Sequence, residues 1–267
     1  MPHPPRRTDL ALYNEACAFS ILDRPTVETV AACNADDESE VLDRLQVNHR
    51  IVLMELVQDD PFSIRVLVDG ELIDDERNWI ARATVPFETE GDVLWITGGF
   101  DPSVCAEIRD HGESELAVEV ELRPGTWRAD LYTYVTSVNA DLALDCEAGE
   151  RVGRLAQMFE TTGDGAPWPR WLARLCHELW DDDGEHPIWD DPAKARTEGR
   201  LQIDEDRRPR LDFVLQLRPL DAAPEFEPTP WGEESMLEPG AGSRRPETLP
   251  TPPASDLESE DSEDPWG

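Results

Sequence analysis

Lysine is almost absent from this chain: Lys194 is the only one among 24 cationic side chains, and 59 Asp and Glu oppose them. The formal net charge is −35. A surface of this sign repels nucleic acid and anionic membranes, so binding to either is not expected. It attracts cationic proteins, at rates that fall with salt. Salt adaptation, which also favours acidic and lysine-poor surfaces, is a second explanation of the same excess.

Other absences exclude further classes. No stretch approaches the roughly 18 consecutive apolar residues that span a bilayer. Met1-Pro2-His3-Pro4-Pro5-Arg6-Arg7 lacks the apolar region of a secretory signal, so a cytoplasmic protein is expected. Cys17, Cys33, Cys105, Cys146 and Cys176 are odd in number and form no CxxC pair, which encodes neither a disulfide framework nor a local zinc site. Buried thiols are expected instead. There is no Gly-x-Ser-x-Gly elbow and no dinucleotide fingerprint, and Gly98-Gly99-Phe100-Asp101 is not followed by the Lys-Ser/Thr of a phosphate loop. Of His177, Glu178, Asp181 and His186, only His177 and Asp181 have the spacing that one helix face aligns, and no metal motif is completed. A metal-dependent enzyme therefore stands only as an alternative, and no catalytic residue and no cofactor is assigned.

What is present is mostly β-patterned. Phe62 to Val68 places Phe, Ile, Val and Val on one face, and Leu116 to Leu122 places Leu, Val, Val and Leu opposite two glutamates. Pro124-Gly125 then supplies a turn. Trp127 to Val135 follows, with Trp127, Ala129, Leu131 and Thr133 on one side and Arg128, Asp130, Tyr132 and Tyr134 on a side expected to be solvated. With Ala16–Leu22, Arg50–Val57, Trp79–Phe87 and Asp92–Thr97 this makes seven short strands, and Arg210 to Arg218 alternates again as a strand that rejoins the sheet. The pattern predicts a mainly β fold, a β-sandwich, with a two-helix insertion at about 150–180. Residues 1–14 are expected to be a flexible N-terminus and 15–220 the sandwich domain. Residues 221–267, acidic and proline-rich, are expected to be a disordered tail, because little apolar surface offsets their ordering entropy.

The acid is not confined to the tail. From Asp221 onward there are 13 acids and 2 bases, which leaves 46 acids against 22 bases in residues 1–220. Asp59-Asp60 and Asp74-Asp75-Glu76 fall in loops flanking predicted strands, where rigid neighbours can hold carboxylates as a fixed array. An array at phosphate-like spacing presents to a basic groove what DNA would present. Asp59, Asp60, Asp74, Asp75 and Glu76 are thus candidate partner-binding residues. The ending Asp256 to Gly267 adds a second candidate, Asp261, Asp264 and Trp266, since an acidic run closed by an aromatic looks like the C-terminal tips of bacterial single-stranded-DNA-binding proteins. Here Gly267 follows the aromatic.

Ala83-Thr84-Val85-Pro86-Phe87 with Glu88 to Ile96, then Leu116 to Leu122, then Arg123-Pro124-Gly125-Thr126-Trp127 to Tyr132, form a cadence of strand, turn and aromatic-led strand. Over about residues 15–140 it resembles the small competence-associated inhibitors of the bacterial DNA-entry nuclease. That resemblance implies a β-rich, acidic, non-enzymatic protein that acts by binding a nuclease. The leading expectation is a binder and inhibitor of a basic protein, a nuclease or a toxin. A scaffold or adaptor recruiting its partner through the acidic, Trp-containing tail is the alternative.

Overall fold

A computed structural model describes residues 5–14, 17–33, 38–56, 61–99, 102–134, 137, 211–221, 226–229 and 236–237. Among these, nine strands form two sheets. The first runs β1 (Arg6–Tyr13), β4 (Pro61–Val68), β9 (Phe213–Pro219), β8 (Gly125–Thr133), β5 (Ala81–Thr89). The second runs β3 (Ile51–Glu55), β2 (Ala18–Asp23), β6 (Val93–Thr97), β7 (Ala117–Glu121). All strand pairs are antiparallel except β4 with β9. The expected mainly β, two-sheet architecture is what is found.

Alternation supplies the core between the sheets. Phe62, Ile64, Val66 and Val68 from β4 meet Phe19 and Ile21 from β2, Leu94 and Ile96 from β6, and Phe213, Leu215 and Leu217 from β9. The rings of Phe19, Phe62 and Phe213 form a cluster with centroids 5.0, 5.2 and 5.7 Å apart, distances that favour offset and edge-on contact. The expected final strand does rejoin the sheet, in the middle of it: Phe213 to Leu217 are all buried between β4 and β8.

Three helices cover the outer face of the second sheet, and none of them is among the expected elements. α1 (Arg24–Ala31), α2 (Glu38–Val47) and α3 (Pro102–His111) bury Val27, Val30, Leu42, Leu45, Val104 and Ile108 against Leu22, Ile51, Leu53 and Trp95. They span only 8 to 10 residues each, and α1 is rich in β-branched residues, so propensity does not announce them. Tertiary packing and caps hold them instead. Asp23 caps α1 by accepting the Thr26 N–H at 3.1 Å, with Pro25 in the first turn. The helices expected at 150–180 lie outside the described residues.

The N-terminal stretch is a correction. Instead of a flexible lead, Arg6–Tyr13 pairs antiparallel with β4 from Arg6↔Val68 to Tyr13↔Pro61. Only Leu10 and Leu12 carry an apolar pattern there, and ion pairs supply the rest. Two short pieces after Asp221 are also docked. Thr229 donates its N–H to the Thr84 carbonyl at 2.8 Å and accepts the Thr84 N–H on its hydroxyl at 3.0 Å. Leu237, fully buried, bonds to Leu53 and Glu55 of β3. The rest of 221–267 lies outside the described residues. Of the described cysteines only Cys105 is buried; Cys17 is exposed and Cys33 lies between.

Asp23 ties the helix layer to both sheets, because it also accepts the N–H groups of Glu90 and Gly91 and pairs with Arg50 at 3.2 Å. Burial pushes its carboxyl up, but the hydrogen bonds from Thr26, Gly91 and Glu90 outweigh burial and hold it below the usual carboxylate range. A depressed carboxylate stabilises the fold fully above its unfolded pKa and loses that contribution as pH falls through the folded value. Asp23→Ala is expected to cost about 3 kcal/mol in urea unfolding at pH 7. The gap between variant and parent should close as pH drops below about 4.

Candidate partner-binding surface

The outer face of the five-stranded sheet is where solvent is expected, and it is buried. Arg65, Arg128, Asp130, Tyr132, Val214 and Gln216 are all buried, none more than 7% exposed. Among the described residues, the 69–80 loop and residues 226–229 lie on it: Trp79 packs on Tyr132, Gly70 accepts from Gln216, and the ring of Phe226 sits 4.7 Å from the Arg128 guanidinium. Burial there requires every charge to be paired.

Two ion-pair clusters meet that requirement. Asp130, fully buried, accepts from Thr84 at 2.7 Å and from Arg128 and Arg218 at 2.8 Å each. At the other end of the sheet, Arg65 donates to Asp9 at 2.7 Å and to Glu76 at 2.6 Å, and Glu76 also pairs with Arg7. Burial works against the charge on Arg65, but the hydrogen bonds to Asp9 and Glu76 more than offset it and hold Arg65 ionised even more firmly than a free arginine.

This geometry sorts the acids expected to bind a partner. Glu76 does not belong among them: it is 1% exposed, holds Arg65 and Arg7, accepts the Ile73 N–H at 2.9 Å, and offers its carbonyl to Tyr134. A carboxylate so engaged anchors the loop to β1 and β4. Asp74 is exposed, two residues before it. Asp59, Asp60, Asp261, Asp264 and Trp266 lie outside the described residues, as does the Asp75 side chain, so Asp59-Asp60 and Asp74-Asp75 are not placed relative to each other. His177, Glu178, Asp181 and His186 also lie outside them, and among the described residues no group of three His, Cys, Asp or Glu is placed to hold a metal. No helix among them is long and apolar enough to cross a membrane.

The structure gathers other carboxylates. Glu107, Asp110, Glu113, Glu115, Glu119 and Glu121 are exposed along α3, its following turn and β7. A cleft of about 510 Å³ opens at Glu119 and Glu121, lined also by Arg6, Asp69, Asp92 and Trp127 among others. Arg6 closes one wall by pairing with Glu121 at 2.8 Å and donating to its carbonyl at 2.5 Å. Glu119 and Glu121 were legible as the polar face of an alternating strand, but nothing in the sequence tells that β7 is an edge.

No family model matches the sequence, and no curated protein sequence matches it either. Two solved structures show distant likeness. The crocagin biosynthetic gene J protein is 13% identical, with 82% of this chain and 99% of that one covered at a TM-score of 0.41. ComJ of Bacillus subtilis, inhibitor of the DNA-degrading activity of NucA, is 12% identical, with 50% of this chain and 87% of that one covered at a TM-score of 0.30.

Glu76→Gln and Asp74→Asn separate the two roles. Removing one charge from a buried pair typically costs about 3 to 5 kcal/mol, whereas an exposed carboxylate away from partners changes stability by about 0.5 kcal/mol or less. Urea unfolding of both variants should show that ordering.

Proposed function

We propose that this protein acts by binding, not by catalysis, and that its partner is a cationic protein of the nuclease or toxin kind. The observation that supports the reading is the excess of exposed carboxylates over exposed guanidiniums on the described surface. Arg65, Arg128, Arg50 and Arg218 are drawn into ion pairs with side chains only 9%, 6%, 17% and 24% exposed. Exposed carboxylates greatly outnumber exposed guanidiniums among the described residues. Asp23, Glu76 and Asp130 are buried with the paired arginines, so the pairing itself is close to neutral, and the anionic sign of the described surface comes from the exposed carboxylates, which sit on strands and short helices fixed by a continuous core.

Such a surface steers a basic partner to fast encounter and discriminates by sign. It also occupies a groove meant for nucleic acid without offering a scissile bond, so blocking such a groove is inhibition by occupancy. The sequence resemblance to nuclease inhibitors points the same way.

The test is a DNA-cleavage assay with any cationic nuclease encoded beside this chain's gene, titrated with the full-length protein. Stoichiometric inhibition at about 50 mM salt, weakening by tenfold or more at about 500 mM, is the expected result, because the Debye length falls from about 14 to about 4 Å over that range. Absence of inhibition with no binding by calorimetry, or inhibition indifferent to salt, would contradict it.

A further inference from the structure

The two sheets have four edges, and the chain treats them differently. Thr229 hydrogen-bonds the edge of β5, and Leu237 that of β3. Among the described residues no strand pairs with the outer side of β1 or of β7. An unpaired edge is a template for another strand, and native proteins usually block it.

β7 presents that template with its polar groups outward. Gly98 donates to the Leu116 carbonyl and Leu122 to the Asp92 carbonyl, which puts the even-numbered residues of β7 into the ladder with β6. The N–H and C=O of Glu119 and Glu121 therefore face the free side. The Glu121 carbonyl is held by Arg6, and both side chains are exposed. Val118 and Val120 point the other way, toward the core. A second observation marks the adjoining cleft as a place for a ligand. Trp127 lines it, is 1% exposed, and carries a buried indole N–H with no hydrogen-bond acceptor. A buried donor without an acceptor is costly, and a carbonyl from an incoming chain would satisfy it.

We infer that β7 is a docking edge for an extended segment of the cationic partner, which adds antiparallel as a fifth strand beyond β7. The chemistry of the occupant follows from the two faces. Residues directly opposite Glu119 and Glu121 share their face, about 5 Å away, and should be lysine or arginine. Alternate residues turn toward Val118 and the core side and should be aliphatic. Main-chain bonds would supply affinity and the alternating pattern specificity. This mode rests on the proposed capture of a cationic protein and specifies how it is achieved.

The experiment uses full-length protein and capped decapeptides of alternating lysine and valine. In an antiparallel addition, residues that bond Glu119 lie on its side-chain face, so the lysine amides face β7 and the valine amides face away. Three peptides of equal charge are compared by calorimetry at low salt: unmodified, N-methylated at every lysine, and N-methylated at every valine. The unmodified and valine-methylated peptides should bind, and the lysine-methylated one should bind at least about tenfold more weakly. Equal binding of all three overturns strand addition while leaving electrostatic capture standing. Loss with the valine-methylated peptide alone overturns the antiparallel register. If none binds and the nuclease assay is also negative, the underlying reading falls too. Glu119→Pro removes the outward N–H at an edge position where proline is tolerated, and Glu119→Gln removes the charge only. The proline variant should lose more affinity for the unmodified peptide than the glutamine one, and equal losses would count against main-chain pairing.

Discussion

Pairing of arginine with carboxylate inside the fold is the constraint on which the remaining structure depends. Arg65 between Asp9 and Glu76, and Asp130 between Arg128 and Arg218, occupy a sheet face that is closed to solvent. Desolvating these groups costs several kcal/mol per ion, so the face can be buried only if each partner stays in place. That requirement fixes β1, since Asp9 and Arg7 bring ion pairs where the strand has little apolar surface. It also fixes the 69–80 loop, because Glu76 reaches from it into the cluster. Surface charge has a separate origin: the ion pairs take arginines and carboxylates inward together, and the carboxylates of α3 and β7 face water.

Edge treatment turns that charge into a direction. Phe226 to Thr229 and Leu237 lie along β5 and β3, one side of the sandwich, and Glu88 donates to the His49 carbonyl across the same side. On the opposite side Arg6 joins β1 to β7 through Glu121, and the cleft with Trp127 opens between them. Among the described residues, sealed edges and unpaired edges are thus segregated, with exposed acids of β7 on the unpaired side.

Much of this was legible in the sequence. Alternation in Phe62 to Val68, Leu116 to Leu122 and Trp127 to Thr133 places strands where they are found, since period two is a local property. β1 was not legible, because an edge strand with only Leu10 and Leu12 facing the core carries almost no hydrophobic signal. Short helices such as α1 depend on the Asp23 cap and on contact with Leu22 and Ile51, neither of which propensity encodes. Arg128, Asp130 and Tyr132 read as a solvated face because polarity is normally a proxy for exposure, and pairing with Arg218, a residue of β9, defeats the proxy. Glu76 departs from the same proxy, buried by its pairs with Arg65 and Arg7. Glu119 and Glu121 were visible as outward residues, whereas their place on an open edge follows from strand order, a long-range property that no local pattern reports.

Amide hydrogen exchange on the full-length protein, alone and saturated with a cationic nuclease that it binds, tests most directly whether the acidic edge at β7 is the binding element. Binding through that edge predicts new protection at Ala117–Glu121, with no gain in β9 at the sheet centre. Protection confined to other segments, in a complex shown to form, would contradict it.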